Sequence, residues 1–334
     1  MTWRDAIATA LYGPRGFYVT GSRTPARHFR TSAQSGTLLA RAVLRLVIRV
    51  DQLLGRPGQV DLVDLGAGGG ELLAAVHSAT TGATPVAGRL RLTGVDLAPR
   101  PAGLPDQIRW RHSLPHGFSG LLIATEWLDN VPLDVSERVD GQPRYRLVDP
   151  ATGIERPGGP VTDADAAWLT RWWPALPDGG RAEIGRPRDE AWADAVRALR
   201  RGAAVAVDYG HRSSDRPPTG TLTGFRAGRE VAAIPDGTCD ITAHVAVDSA
   251  AAAGASANPP YGLLRQRDAL HQLGVHGRRP PLATATADPH GYLAALSTAS
   301  AAAELTDPHG LGGHWWLVQP VGLAVSGESL LAGA

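Results

Sequence analysis

Residues Val60 to Glu71 read V-D-L-V-D-L-G-A-G-G-G-E, an apolar run that stops abruptly at spaced glycines. A run of this length and composition predicts a buried strand. Glycine then lets the chain turn where a Cβ would collide with a ligand. The helix expected after the turn aims its free N–H groups back at that ligand. Such a turn suits a nucleoside-containing cofactor. The dinucleotide fingerprint requires G-x-G-x-x-G or a final alanine. With Gly66 and Gly68 as its first two glycines, the third place is Glu71. The pattern here is D-x-G-x-G-x-G, with Asp64 on the strand and Gly66, Gly68 and Gly70 in the turn. It favours S-adenosylmethionine over NAD.

The next strand-like run, R-L-R-L-T-G-V-D, ends on Asp96. A carboxylate at that edge of an open α/β sheet can accept hydrogen bonds from both ribose hydroxyls. Further strands are expected at Ile108–Arg111, Gly120–Ala124 and Ala203–Asp208, alternating with helical stretches. That alternation predicts parallel strands with crossover helices, a doubly wound, Rossmann-like core.

Three regions are expected around this plan. Residues 1–56 form an N-terminal addition with a Gly/Pro/aromatic loop (Tyr12 to Phe29) and an amphipathic helix within Leu38–Leu54. Thr31 or Ser32 could cap that helix, or lie in a loop closing over the ligand. Residues 57–132 and 202–334 make the core. Residues 133–201 are an inserted substrate or lid region: a hairpin over Leu133–Val148 turning at Asp140-Gly141, with exposed edges, and then a helical stretch from Asp163 to Arg201. Ser249–Ala257 reads equally as linker or helix. A helix over Gln266–Leu273 and a final strand over His314–Pro320 close the chain.

Thr125-Glu126-Trp127-Leu128-Asp129-Asn130-Val131-Pro132 follows the fourth core strand, so Glu126 and Asp129 point into the same crevice. Asp129 could be only a helix cap and Glu126 only a solvated charge. Alternatively, the two acids flank a transferred group and its acceptor. Paired carboxylates suit the planar fork of a guanidinium and can take up the proton a nitrogen loses. His244, in D-I-T-A-H-V-A-V-D, reads as a hydrogen-bonded structural residue. The spacing of His112, His271, His276, His309 and His314 predicts no metal site.

Composition excludes several classes. A chain of 334 residues with 43% apolar and 19% charged residues can bury a sizeable core. All 33 basic residues are Arg, yet the net charge is only +1, so no bulk attraction to nucleic acid or anionic lipid is expected. One cysteine, Cys239, excludes an internal disulfide and predicts a small buried or loop side chain. No stretch is expected to span a membrane, and motifs begin near Gly16, leaving no removable leader. The expectation is a cytoplasmic protein.

Several motifs together resemble the MidA family of S-adenosylmethionine-dependent methyltransferases. They are Gly16-Phe17-Tyr18, Phe29-Arg30-Thr31-Ser32, the glycine turn, Trp110-Arg111-His112-Ser113-Leu114 and Glu126 to Pro132. Asp208-Tyr209-Gly210, Gly220-Thr221-Leu222, Asp240 to Val245 and Asp307-Pro308 follow in the same order. The resemblance implies a class I methyltransferase fold. It also implies S-adenosyl-L-methionine as cofactor and an activity like that of the mitochondrial relatives, which methylate an arginine on a respiratory complex I subunit. By position, it places Gly66, Gly68 and Gly70 along the methionine part, Asp96 on the ribose and the Trp110–Leu114 turn, with Ser113, beside the adenine. Glu126 and Asp129 match the family's acidic motif. The sequence departs from the family at His28, Ala33, Gln34 and Thr125. Two other functions fit the residues: methylation of a small molecule, and a cofactor-binding assembly factor without turnover.

Overall fold

In the computed structural model, which describes residues 1–19, 36–80, 84–255 and 260–333, the apolar run before the glycines lies in the middle of a sheet. In chain order come α1 (Trp3–Tyr12), α2 (Thr37–Leu53), β1 (Val60–Leu65), α3 (Glu71–Thr80), β2 (Leu90–Val95), β3 (Ile108–Arg111) and β4 (Phe118–Thr125). An insertion follows, with β5 (Asp134–Val139), β6 (Gln142–Val148), β7 (Glu155–Pro160), α4 (Asp163–Trp172) and β8 (Arg181–Ile184). The chain returns through α5 (Arg186–Ala198) to β9 (Leu199–Asp208) and β10 (Gly210–His211). Three short strands come next, β11 (Thr223–Arg226), β12 (Arg229–Val231) and β13 (Asp240–Thr242). Then come β14 (Val245–Ala246), α6 (Val247–Gly254), β15 (Gly262–Arg265), α7 (Gln266–Gln272), α8 (Ala283–Ala287), α9 (Pro289–Leu305), β16 (Trp315–Val321) and α10 (Gly327–Ala332).

The main sheet has the order β15-β16-β9-β4-β1-β2-β3. Strands β9, β4, β1, β2 and β3 run parallel, while β16 is antiparallel to both β9 and β15. Both faces are covered, which is why its central strands read as continuous apolar runs. Leu62, Leu121, Ile123 and Val205 point to one face, against Leu39, Val43 and Leu46 of α2 and Leu73 of α3. Val63, Leu122, Ala204 and Ala206 point to the other, against Trp192 and Ala195 of α5 and Ala250 of α6. Trp192 is fully buried, and its indole donates to Gln319 Oε1 at 2.7 Å. Strand order reverses between β1 and β4, so the crevice for a ligand opens at their carboxyl ends.

Elsewhere the structure corrects the sequence reading. The hairpin does turn at Asp140 (φ 50°) and Gly141 (φ 75°), as a two-residue primed turn requires. It does not stand at an exposed edge, however, because β5 lies between β6 and β8 in an antiparallel sheet of order β7-β6-β5-β8. Helix α1 covers that sheet, with Trp3, Ile7 and Leu11 packed on Leu133, Val135 and Val148. The stretch from Asp163 to Arg201 is not all helix. Arg181–Ile184 pairs with β5 because its alternate residues Ala182 and Ile184 are both buried, and Leu199–Arg201 already belongs to β9. Ser249 to Gly254 is helical, as part of α6, and Cys239 is a free, buried thiol. Among the described residues, no helix is long and apolar enough to cross a membrane.

Candidate active site

The glycine turn and the end of β2 are tied to each other. Gly66 and Ala67 donate their N–H groups to Val95 O at 2.9 and 3.1 Å. Asp96 Oδ2 accepts from Gly68 N at 2.8 Å and Oδ1 from Ala98 N at 2.8 Å. The three glycines serve different ends. A Cβ on Gly66 would lie 2.8 Å from Trp127 Cδ1, and one on Gly70 2.8 Å from Leu104 Cδ1. Gly68 has φ 55°, and a Cβ there would meet nothing within 4 Å. The protein packs behind Gly66 and Gly70, whereas Gly68 faces open space.

Asp64 sits beneath this turn, 2% exposed, with Oδ1 lacking any hydrogen-bond partner. Burial, followed by repulsion from Asp96 and Glu71, pushes its carboxyl up to about 7. Burial also raises Asp96, against the pull of the amides it accepts from. This donor set fits an adenosyl cofactor. Each Asp96 oxygen keeps a lone pair for a hydroxyl, Asp64 is an unsatisfied acceptor, and Gly68 leaves room for the ligand. The turn after β3 is fixed to the same place, since His112 Nδ1 lies 3.0 Å from Asp96 O, and Ser113 beside it is exposed. Trp110 stands behind the turn, its ring against Gly70 and Gly94 and its indole N–H on Ala98 O at 3.0 Å. Thr31 and Ser32 lie outside the described residues.

A second group of acids lies at the ends of β4 and β9. Glu126 takes φ 50°, a conformation that costs a non-glycine residue about 1–3 kcal/mol and gathers at functional sites. Its N–H donates to Val207 O at 2.8 Å, so β9 holds the strained turn in place. Trp127 then passes behind Gly66, and Leu128–Asn130 forms a buried turn. Asp208 Oδ2 caps this turn, accepting from Leu128 N at 3.0 Å and Asp129 N at 3.2 Å. Asp129 Oδ2 accepts from Thr242 Oγ1 at 2.7 Å and from the Tyr209 hydroxyl, which also bonds Thr242. Asn130 donates to Asp240 Oδ1 at 2.9 Å and accepts from Tyr18 OH at 2.9 Å.

A buried cation lies beside Asp129 and Asp208. Arg188, on α5 and 3% exposed, donates to the carbonyls of Asp129, Val131 (3.1 Å), Ala243 (2.8 Å) and His244 (3.1 Å). It thereby joins the turn after β4 to the segment after β13. Burial raises Asp129, Asp208 and Asp240, Asp240 to about 8, with like charges adding to the rise in Asp208 and Asp240. Asp129, Asp208 and Glu183 act on the Arg188 guanidinium, while Glu126 and Asp129 act on Asp208 and Asp129 acts on Asp240, so among the described residues the floor of the crevice favours a positively charged guest.

Tyr209 is bracketed by imidazoles, with ring centroids 5.3 Å from His244 and 5.5 Å from His314. His211 lies 6.3 Å from His244. All three titrate below the usual histidine range, His211 at about 3 and His314 at about 4, chiefly through burial. No group of three His, Cys, Asp or Glu among the described residues could hold a metal ion.

The structure thus brings Asp64, Gly66, Gly68, Gly70 and Asp96 together. It also joins Glu126 and Asp129 to the crevice through Trp127. Sequence reasoning missed Arg188, because R-P-R-D-E at a helix start reads as a solvated face. Tyr209, Asp240 and Thr242 fell within motifs noticed in the sequence, which supplied no role for them. A separate cavity of about 300 Å3, lined by Trp3, Glu155, Arg181, Glu183 and Gly220 among others, includes no residue of the glycine turn.

Comparison with known proteins agrees with this geometry. Residues 38–260 match a family described as S-adenosyl-L-methionine-dependent methyltransferase (Methyltransf_28). No curated protein matches the sequence. Two crystal structures from Burkholderia thailandensis are similar throughout. One, a COG1565 superfamily member bound to S-adenosyl-homocysteine, is 22% identical, with a TM-score of 0.79 over 98% of this chain and 89% of that one. The other, a COG1565 superfamily protein, is 23% identical, with a TM-score of 0.79 over 99% of this chain and 89% of that one.

Proposed function

The chain belongs to this family of S-adenosyl-L-methionine-dependent methyltransferases, and from that premise we propose that it methylates a nitrogen on a protein, an arginine, as the mitochondrial relatives of the MidA family do. The observation that carries the reading is the acid-rich floor, where Glu126 and Asp129 press on Asp208 and Asp129 presses on Asp240, while the Arg188 guanidinium is engaged on backbone carbonyls. A cationic acceptor side chain gains from such a surface, whereas a neutral or acidic one does not. The long insertion after β4 offers the extra surface a protein substrate needs. The setting is the cytoplasm.

The bound cofactor supplies an electrophilic methyl on a sulfonium. The chain's own residues supply position. Asp96 would hold the ribose, Gly66, Gly68 and Gly70 would line the methionine part, and Asp64 would offer it an acceptor. Glu126, held at its strained angle by Val207, orients the acceptor nitrogen. Asp129 works from beneath by fixing Tyr209. Most of the acceleration comes from this alignment, since a well-oriented pair of reactants is worth about 7–11 kcal/mol of barrier.

The test is transfer of labelled methyl from S-adenosylmethionine into an extract of cells lacking this chain, followed by mass spectrometry of the labelled fraction. Label on protein arginine is expected. Label confined to small molecules would overturn the reading in favour of a metabolite substrate, and no transfer would favour an assembly factor. Glu126→Gln should retain cofactor binding and lose turnover.

A further inference from the structure

Methylating a nitrogen releases a proton, and, with Glu126 orienting the acceptor, the three buried acids of the floor are poorly placed to receive it. Asp129 is 3% exposed, and its Oδ2 already accepts from Thr242 and Tyr209. Asp208 is 2% exposed and committed to two backbone amides. Asp240 is 1% exposed and accepts from Asn130. His244 differs from all of these. Its residue is exposed, while its backbone is pinned on both sides: N–H to Thr221 Oγ1 at 2.9 Å, carbonyl to Arg188 Nη1 at 3.1 Å. Its ring stands edge-on to Tyr209 at 5.3 Å, and the Tyr209 hydroxyl is fixed by Asp129 and Thr242. Partial burial, then the Arg188 cation, holds it below the ordinary histidine value and so neutral near pH 7.

Its place in the fold is also suitable. Gly66 follows β1 and Tyr209 follows β9, with β4 between them. Adjacent strands lie about 4.8 Å apart, so the glycine turn and Tyr209 are about 10 Å apart along the crevice. That span accommodates a methyl group and an acceptor nitrogen in line. Glu126 and Trp127, at the end of β4, occupy the middle of it.

The geometry points to His244 as the group that takes the proton from the acceptor nitrogen, with Tyr209 and Asp129 as its positioning residues. The inference rests on the nitrogen-methylation reading above and deepens it. As the acceptor's lone pair bonds to the methyl carbon, the carbon–sulfur pair returns to sulfur and a thioether leaves. The nitrogen's N–H proton passes to the His244 ring and then to solvent, leaving the methylated nitrogen with its original charge.

The test uses two ligands that need no acceptor. S-adenosylhomocysteine lacks the methyl. Sinefungin carries an amine-bearing carbon where the methylated sulfur would be, and so presents N–H groups at the site of transfer. In calorimetric titrations of the full chain, His244→Ala should weaken sinefungin about ten-fold, the worth of one hydrogen bond to a charged amine. It should leave S-adenosylhomocysteine within about two-fold. His244→Asn, which keeps an acceptor, should recover part of the loss. Equal effects on the two ligands, or none on either, would overturn the assignment. In the unsubstituted protein, the His244 ring resonances should move with sinefungin and stay with S-adenosylhomocysteine, and identical spectra would overturn it as well. A chain that passes both tests but labels no protein would retain His244 as proton acceptor and lose the protein substrate.

Discussion

Gly68 donates its backbone N–H to Asp96 Oδ2 at 2.8 Å, across 28 positions of sequence, so the carboxylate proposed to hold the ribose also shapes the glycine turn. Asp96→Ala should therefore lower the affinity for S-adenosylhomocysteine by 10- to 100-fold, about 1.5–3 kcal/mol, measured by calorimetry. Asp96→Asn, which can still accept, should fall between. An alanine variant that binds as well as the parent would remove Asp96 from the site.

The three glycines of the turn should separate binding from folding. Gly68→Val has no protein atom to strike and bears only the strain of φ 55°, about 1–3 kcal/mol, so it should lose less melting temperature than the two packed positions yet bind no cofactor. Gly66→Ala and Gly70→Ala drive a methyl into Trp127 and Leu104 and should lower the melting temperature markedly. Equal melting losses for all three would show that Gly68 is also packed.

Arg188 should be a determinant of stability. Arg188→Met strips donors from four carbonyls, two of them buried and two part-buried, and leaves the acids beside it uncompensated. A loss of about 3–5 kcal/mol is expected in denaturant unfolding. Arg188→Lys should restore little, because one ammonium cannot reach both loops. A near-neutral methionine variant would refute the clamp.

Stability should fall as pH rises from 6.5 to 8. Asp64 and Asp240 hold protons up to about 7 and about 8 in the folded chain, whereas unfolded they ionise near pH 4. In that window the folded state binds more protons, so raising the pH favours unfolding. Below 6.5 the effect is offset by His211 and His314, which stay neutral when folded but take protons when unfolded. Melting curves at constant ionic strength check this, and Asp240→Asn should flatten the alkaline fall. A melting temperature that climbs between pH 6.5 and 8 would contradict it.

The parts of this fold legible in the sequence were those fixed by local pattern. Strands β1, β4 and β9 carry long apolar runs because both faces are covered, and Asp140-Gly141 announces its own turn. Strand β8, R-A-E-I, carries no such signal; it is a strand because β5 lies beside it. Helix α9 escaped notice because Pro289–Leu305 is alanine-rich and buries only Ala299, Ala302 and Leu305, so it shows little apolar periodicity. The meeting of the glycine turn with Asp96 could be read because spaced glycines and a strand-ending acid act through the backbone. The meeting of Arg188, Tyr209 and His244 could not, because they lie far apart in the chain and come together only after the insertion has folded back.

Strand β16 enters the sheet backwards, between β9 and β15. Until Trp315–Val321 has left the ribosome, β9 therefore keeps an unpaired outer edge. The strand carrying Asp208, and the Tyr209 that follows it, is then held from one side only. Closing of that edge, and with it full support for the acid cluster, therefore waits until Trp315–Val321 has emerged, and a nascent chain halted before Trp315 should expose a sticky edge that calls for a chaperone.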